Sequence, residues 1–237
     1  MISNEVTPSP VLPDYIRGLE LAKWIAIVTM TIDHFGKIVE PSLYVETNMI
    51  GRLTYPLFAW IIGMRLATHP ERSKGYLVNL LSWALVSQPV YVLVGKHWTD
   101  PNIFFTLALG VAAFRGVEMF AEGSRTTGAV LFLSCGALAL LVDYGIAGVL
   151  LIPLVAELAK RNPEWGAWIV GPLGVLSNLT FLPPYVGPGA LYAMLGSAAA
   201  VGCLRFRFAL PRWGKQFFYG YYPGHLLVLY LVWFSLA

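Results

Sequence analysis

Cysteine and charge are both scarce in this chain of 237 residues. The two cysteines, Cys135 and Cys203, lie in apolar segments, without metal-ligand spacing or the density of a disulfide scaffold. We expect both to be packing residues and expect no metal site. Charged residues make up 12% of the sequence, against about 25% in soluble domains. So small a charged fraction cannot cover a water-facing surface, which argues against an ordinary soluble domain.

Several common motifs are missing as well. The sequence has no GxGxxG fingerprint, no Walker loop and no GxSxG elbow, which excludes dehydrogenases, NTPases and hydrolases of the soluble types. The net charge of +3 does not indicate a nucleic-acid partner, because the basic residues fall singly or in small groups between apolar runs. That placement is typical of loops between membrane spans.

Apolar residues dominate what remains, at 57% of the chain. A helix needs roughly 20 mostly apolar residues to cross a bilayer, and nine segments approach this length. We predict an all-α fold, a polytopic integral membrane helical bundle of about nine transmembrane helices, in one domain covering residues 1–237. The short fifth and sixth segments could instead form a tight or re-entrant hairpin, which would reduce the number to eight or seven. The predicted spans are 19–40, 49–67, 75–95, 102–120, 127–142, 145–160, 164–182, 187–204 and 216–236.

The distribution of Lys and Arg predicts the orientation, because these residues are retained in cytoplasmic loops. The N-terminus is expected in the cytoplasm, and the short loops 41–48, 96–101 and 183–188 outside. A basic cluster before the last span could hold the phosphates of a nucleotide-bearing donor such as coenzyme A. The retention of positive charge in cytoplasmic loops predicts such a cluster without any ligand, so both interpretations stay open. Its members are Arg205, Arg207, Arg212 and Lys215.

Asp33 and His34 give the strongest indication of chemistry, since both lie within the first predicted span. A charged side chain at bilayer depth costs roughly 2.5–3.5 kcal/mol and usually marks a substrate path or proton relay. Asp33 and Lys37 are four residues apart and can pair, which leaves the His34 ring for another helix or a substrate. The alternative is an interfacial ion pair beside an ordinary hydrogen-bonded histidine.

Other polar side chains fall at the same level or in the last span. Arg52 and Tyr55 begin the second span and are expected to face Asp33 and His34. Asn102 is the best candidate for a substrate contact among the uncharged residues, with Thr106 in the same span; the alternative is hydrogen bonding between helices. His225 lies halfway along the last span, where Pro223 loosens the helix, and Tyr222 is a plausible neighbouring site tyrosine.

Five sequence blocks resemble the TraX/TrbP family of conjugative pilin acetylases. The Asp-His and Tyr-Pro-Gly-His elements are fairly specific in combination, whereas residues 123–212 are generic. The blocks are LAKWIAIVTMTIDHFG (Leu21–Gly36), IGRLTYPLFA (Ile50–Ala59), SQP (Ser87–Pro89), NIFFTLALG (Asn102–Gly110) and FYGYYPGHLL (Phe218–Leu227).

The resemblance implies a bacterial inner-membrane enzyme that uses acetyl-CoA to acetylate the amino terminus of a processed pilin. Amide formation needs a base for the α-ammonium and donors for the tetrahedral oxyanion. His34 or His225 is then the base, or a transient acyl carrier. Arg52 with Tyr55 or Tyr222 supplies the donors, and Asp33 orients a histidine or binds the ammonium.

Two other functions remain open. The same fold could acylate a hydroxyl on an envelope sugar. A non-enzymatic protein for pilus assembly or insertion would use Asp33, His34 and His225 only to stabilise the bundle. Replacing His34 distinguishes an enzyme from an assembly protein, because an assembly protein should tolerate the change and an enzyme that uses His34 as its base should not.

Overall fold

The computed structural model describes residues 12–178, 186–206, 208, 210–211 and 213–236. Every regular element in these ranges is a helix. The helices are α1 (Leu12–Ile38), α2 (Tyr44–Gly51), α3 (Thr54–Thr68), α4 (Ser73–Leu93), α5 (Ile103–Ala121), α6 (Arg125–Leu138), α7 (Gly145–Arg161), α8 (Pro163–Trp168), α9 (Val170–Asn178), α10 (Val186–Arg205) and α11 (Lys215–Leu236), with 3-10 turns at Pro41–Leu43, Pro70–Arg72 and Ala139–Leu141.

The predicted all-α class is confirmed, and each predicted span corresponds to helical structure, with three differences in detail. The segment 41–48, predicted as a loop, instead contains a 3-10 turn and the first residues of α2. The second span is interrupted at Arg52 and Leu53, whose backbone N–H groups donate to Met49 and Ile50 in i→i−3 turns. The predicted outer loop 183–188 falls mostly outside the described residues.

The seventh span is also interrupted, between α8 and α9. Pro172 has no backbone N–H, so it cannot donate to the carbonyl of Trp168 as a continuous helix requires. The hydroxyl of Ser197 on α10 donates to that carbonyl at 2.6 Å and accepts from the N–H of Gly171 at 2.7 Å. A side chain from the neighbouring helix thus completes the backbone hydrogen bonds at the break.

Helix α3 is the most buried long helix, because α1 packs on one side of it and α7 on another. Its side chains Tyr55, Leu57 and Trp60 are almost completely shielded. Helix α5 packs against α4, α6 and α7, and α11 packs against α1 and α4. Most buried apolar side chains form one core cluster, and a smaller second cluster lies between α5, α6 and α7. Cys135 and Cys203 are free and buried, as expected for packing residues.

The outer faces of the helices are apolar. Two helices in the described part of the chain, Pro70–Leu93 and Ile103–Ala121, are long and apolar enough to cross a membrane by length and composition. Large apolar side chains such as Leu133, Leu191 and Phe234 are each more than 60% exposed on three further helices. Exposed apolar surface on this scale is typical of proteins that interact with a membrane or a partner.

Polar contacts collect at the two ends of the bundle. At one end Glu20 accepts from Lys23 at 2.8 Å and lies 3.7 Å from Arg65. At the other end Asp33 and Lys37 form an ion pair of 2.6 Å. Glu20 and Asp33 are separated by about 20 Å along α1 at the helical rise of 1.5 Å per residue. The middle of α1 between these pairs is largely apolar.

Candidate active site

A pair of histidines joins α1 to α11. Nδ1 of His34 lies 2.8 Å from Nε2 of His225, and the ring centroids are 4.9 Å apart. The two residues come from opposite ends of the sequence and meet because α1 and α11 pack side by side. The sequence left the His34 ring for another helix or a substrate, and in the structure it contacts the second predicted histidine on α11.

The hydrogen bonds of the pair determine its tautomers. Nδ1 of His225 lies 2.9 Å from the backbone carbonyl of Tyr221, which can only accept, so this nitrogen carries the proton. In neutral His225, Nε2 is then an acceptor, and it receives the Nδ1–H of His34. The remaining nitrogen, Nε2 of His34, therefore carries a lone pair, and it has no hydrogen-bond partner among the described residues. This is the arrangement of an oriented base.

Aromatic rings fix the position of the pair. Tyr221 stacks on His225 with an interplanar angle of 10°, and its hydroxyl lies 2.7 Å from the hydroxyl of Thr31. Thr31 donates to the carbonyl of Ile27, so the Tyr221 hydroxyl is the donor to Thr31. Tyr222 lies edge-on to His34 at 6.3 Å and is almost fully buried. These contacts hold both imidazoles against the α1–α11 interface.

Asp33 belongs to a separate chain of polar contacts. It accepts from Lys37, as predicted from their spacing, and from Nδ2 of Asn48 at 3.1 Å. The oxygen of Asn48 accepts from Arg52, whose other nitrogen donates to Asn178 at 2.9 Å. This network ties α1, α2 and α9 together beside the histidines. Its members show no hydrogen bond to either imidazole in the described chain, so His225 rather than Asp33 orients His34.

Tyr55 lies on the far side of Arg52, packed against the turn that begins α7. Its ring stacks on Tyr144 at 4.0 Å with an angle of 11°. The hydroxyl is buried and has no hydrogen-bond partner among the described residues. Tyr144 has a positive φ of 68°, an uncommon conformation for a residue other than glycine. A buried phenol without an acceptor is available to donate to a ligand.

Asn102 and Thr106 are engaged in structural contacts. Asn102 caps α5 by accepting from the N–H of Phe104, and its amide donates to the carbonyl of Ala84 and to Gln88. Thr106 donates to the backbone carbonyl of Asp143 at 3.1 Å. Both residues are completely buried. These contacts fix the start of α5 next to Tyr222, which packs against Phe104.

The predicted donor-binding cluster is only partly described. Arg205 lies 3.4 Å from Glu164 and is exposed, and Lys215 is exposed at the start of α11. Arg207 and Arg212 lie outside the described residues. Lys215 and Arg205 belong to the end of the bundle that also contains Glu20.

Most of this chain is similar to proteins of one known family. The family described as TraX protein matches residues 18–233. A protein TraX from Escherichia coli is 30% identical over 216 residues, covering 89% of this chain and 85% of the relative. This chain belongs to the TraX family. No solved structure matches it.

Two further proteins are similar in sequence to this chain. A protein TraX from Escherichia coli strain K12 is 29% identical over 219 residues, covering 89% of this chain and 85% of that protein. An uncharacterized protein, RP591, from Rickettsia prowazekii is 24% identical over 149 residues, covering 60% of this chain and 57% of that protein. The TraX family match includes both histidines and the whole Asp33 network, and it confirms the family predicted from the sequence blocks.

Two contributors to this TraX-family site were not predicted from the sequence. Asn48 connects Asp33 to Arg52, and Tyr221 fixes His225 through its carbonyl and its ring. The only sequence signal for Asn48 is its spacing of four residues before Arg52, which favours a helical contact. Nothing in the sequence indicates which tyrosine supplies the carbonyl.

Proposed function

We propose that this chain is a membrane acetyltransferase that transfers an acetyl group from acetyl-CoA to the amino terminus of a conjugative pilin. The observation that supports this best is Nε2 of His34, which has no hydrogen-bond partner among the described residues and is oriented by the chain of hydrogen bonds through His225 to Tyr221. N-acetylation needs a base of this kind, because an α-ammonium must lose its proton before it can attack.

In the proposed reaction, Nε2 of His34 takes a proton from the acceptor ammonium. The free amine attacks the thioester carbonyl, the C–N bond forms, and the tetrahedral intermediate collapses with cleavage of the C–S bond. His34 returns its proton to the leaving thiolate, and the second proton of the nitrogen is released to solvent. His225 stabilises the transient imidazolium of His34 by accepting its Nδ1–H.

In this proposal the donors for the oxyanion are the hydroxyls of Tyr222, which lies beside the pair, and of Tyr55, which packs against Tyr144. The hydroxyl of Tyr55 is buried without an acceptor, which makes it available for a developing negative charge. Tyr222 packs against the His34 ring and is the second candidate. In this proposal Arg52 holds Asn48 and Asn178 and contributes positive charge. Asn102 and Thr106 act indirectly, by fixing the start of α5 beside Tyr222.

The proposed location is the bacterial inner membrane, with several crossings and a cytoplasmic N-terminus. The apolar outer faces of the helices support this, as do the two helices long enough to span a bilayer. Acetyl-CoA would then approach from the end that contains Arg205 and Lys215. These two residues belong to the basic cluster predicted from the sequence, with Arg207 and Arg212, and its charges suit the phosphates of acetyl-CoA. In this proposal the thioester of acetyl-CoA reaches His34 between α1 and α11. The acetyl group then passes directly to the acceptor amine, so no covalent acyl-enzyme intermediate is required.

The test is the intact mass of the mature pilin from cells that carry the chain and from cells that lack it. An acetyl increment of about 42 Da only in the presence of the chain is the expected result, and purified protein with acetyl-CoA should reproduce it. An identical pilin mass in both strains overturns the proposal. Acetate on an envelope sugar would then favour hydroxyl acylation, and its absence would favour an assembly role.

A further inference from the structure

A second hydrogen bond crosses the interface between α1 and α11, one helical turn from the histidine pair. Thr31 lies three residues before His34 on α1, and Tyr221 lies four residues before His225 on α11. The hydroxyl oxygens of Thr31 and Tyr221 are 2.7 Å apart. Residues three or four apart share one face of a helix, so the two cross-helix bonds lie one above the other along the interface. Tyr221 supports both bonds, because its backbone carbonyl also accepts from Nδ1 of His225.

The backbone of α11 is weak at this level. Pro223 lies between Tyr221 and His225, and its missing N–H removes one hydrogen bond of the helix. Gly220 and Gly224 flank Pro223, and glycine adds backbone freedom. Proline next to glycine is a common cause of helix kinks. Propensity within α11 therefore does not fix the position of the His225 ring, and a contact from another helix has to do so.

The contacts farther along the same interface are between rings. Trp24 on α1 packs against Phe217 and Phe218, with ring centroids 6.1 Å apart in each case. Ring packing of this kind accepts a range of separations and angles, whereas a hydrogen bond restricts both distance and direction. The bond between Thr31 and Tyr221 is a directional contact, and it lies within one turn of both histidines.

We propose that Thr31 is a positioning residue for the histidine base. Its hydroxyl accepts from the Tyr221 hydroxyl and so holds the ring that stacks on His225 and the carbonyl that sets its tautomer. His225 in turn orients His34. This inference rests on the proposed function, because it assigns a residue that supports the base of that reaction. Thr31 acts through Tyr221 without contacting acetyl-CoA or pilin, so its loss should lower kcat and leave KM unchanged.

The test is Thr31→Val, and α1 offers a closely matched control in Thr29→Val. The Thr29 hydroxyl also donates to a backbone carbonyl one turn earlier, and it also lies 2.9 Å from a hydroxyl on another helix, that of Thr54 on α3. Both substitutions keep a branched side chain and remove one hydrogen bond between helices. They should lower the unfolding temperature by similar amounts, but only Thr31→Val removes the contact with Tyr221.

Initial rates of pilin acetylation by the purified proteins give kcat and KM. Because a positioned base contributes about 10²–10⁴-fold, we expect kcat of Thr31→Val to be at least about fivefold below that of Thr29→Val, with KM within about twofold. Thr31→Ser, which keeps the hydroxyl, should recover most of the lost rate. A smaller difference in kcat, a loss confined to KM, or a failure of Thr31→Ser to recover the rate overturns the positioning role.

Tyr221→Phe tests the same contact from α11, and it also serves if Thr31→Val does not fold. This change keeps the ring and the backbone carbonyl and removes the hydroxyl. Its kcat should fall by about as much as that of Thr31→Val, and the double variant should lose no more than either single variant, since both remove one shared bond. Losses that multiply in the double variant, or an unchanged rate in Tyr221→Phe, contradict the proposal.

The tautomer of His225 provides a readout that does not depend on acetylation. NMR of protein with isotope-labelled histidine nitrogens shows which nitrogen carries the proton, and the His225 signals are assigned by their loss in His225→Phe. Wild type and Thr29→Val should show Nδ1–H alone, and Thr31→Val should show a mixture with Nε2–H. Nδ1–H alone in Thr31→Val overturns the positioning role. If wild-type protein never acetylates pilin, the proposed function is wrong, and the tautomers still decide whether Thr31 positions the pair.

Discussion

Nδ1 of His34 and Nε2 of His225 are joined by a hydrogen bond of 2.8 Å, although 191 positions separate the two residues in the sequence. The bond gives the two histidines different roles. His225 has both nitrogens engaged, one with the Tyr221 carbonyl and one with His34, whereas His34 keeps one nitrogen for a substrate. The pair therefore works as a base and its positioning residue rather than as two equivalent bases.

Replacing His34 with Asn should abolish most of the activity without disturbing the fold. The amide nitrogen of Asn can still donate toward His225, but no basic nitrogen remains at the position of Nε2. Because positioned acid–base groups contribute about 10²–10⁴-fold, we expect kcat to fall by that factor. The measurement is the initial rate of pilin acetylation by purified protein, with unfolding temperature as the check on folding.

The matched control is His97→Asn, because His97 is exposed in the segment before α5 and makes no hydrogen bond or ring contact with either histidine of the pair among the described residues. Its rate should stay within about twofold of wild type, as for most surface changes. A His34→Asn protein with near-normal turnover would remove His34 from the base role.

Two substitutions of His225 should distinguish its role in orienting His34 from the space that its side chain fills. In His225→Gln the side-chain oxygen can accept the Nδ1–H of His34, so we expect a loss of less than about tenfold in kcat. In His225→Phe the ring shape is kept but the acceptor is lost, and a loss of about 10²-fold is expected. The measurement is kcat and KM for each variant. A change confined to KM, or equal losses in both variants, would contradict the orienting role.

The sequence predicted which residues belong to this site better than it predicted the hydrogen bonds between them. Asp33 with Lys37 follows directly from a spacing of four residues on a helix, and the buried charge marked His34 and His225. The contact of Asn48 with Arg52 also follows from a spacing of four residues, whereas its contact with Asp33 depends on the packing of α2 against α1 and has no sequence signature. Contacts within one helix can be predicted from residue spacing, whereas contacts between helices can be identified only once the packing of the helices is known.

The same distinction holds for the helices. Apolar segment length predicted nine helical regions, because burial and span length act on each segment separately. The break between α8 and α9 was not predicted, although Pro172 was visible. A proline in an apolar run can kink, interrupt or leave a helix nearly straight, and here the hydroxyl of Ser197, from another helix, stabilises the interruption.

Replacing Asn48 with Ala should destabilise the polar network at the outer end of the bundle. The change removes the donor to Asp33 and the acceptor for Arg52, leaving both charged groups short of a partner in a partly buried site. Each unsatisfied group of this kind costs about 1–3 kcal/mol, so we expect the free energy of unfolding to fall by about that amount or more.

Equilibrium unfolding in detergent micelles measures the effect of Asn48→Ala. The control is Ser42→Ala, which removes an exposed hydrogen bond to Glu40 in the same segment and should change stability by no more than about 0.5 kcal/mol. Equal changes in the two variants would mean that Asn48 does not stabilise the network.

Two glycines on α6 should respond in opposite ways to alanine, because only one lies against a neighbouring helix. A Cβ added at Gly128 would lie 2.6 Å from the carbonyl oxygen of Gly116 and the backbone nitrogen of Phe120 on α5. These backbone atoms cannot move without separating α5 from α6, so Gly128→Ala should cost about 1–3 kcal/mol. A Cβ at Gly136 meets no atom within 4 Å, and Gly136→Ala should stabilise α6 by up to about 1 kcal/mol through helix propensity. Unfolding free energies of the two variants measured side by side provide the test. A neutral Gly128→Ala would show that α5 and α6 are not held at this close approach.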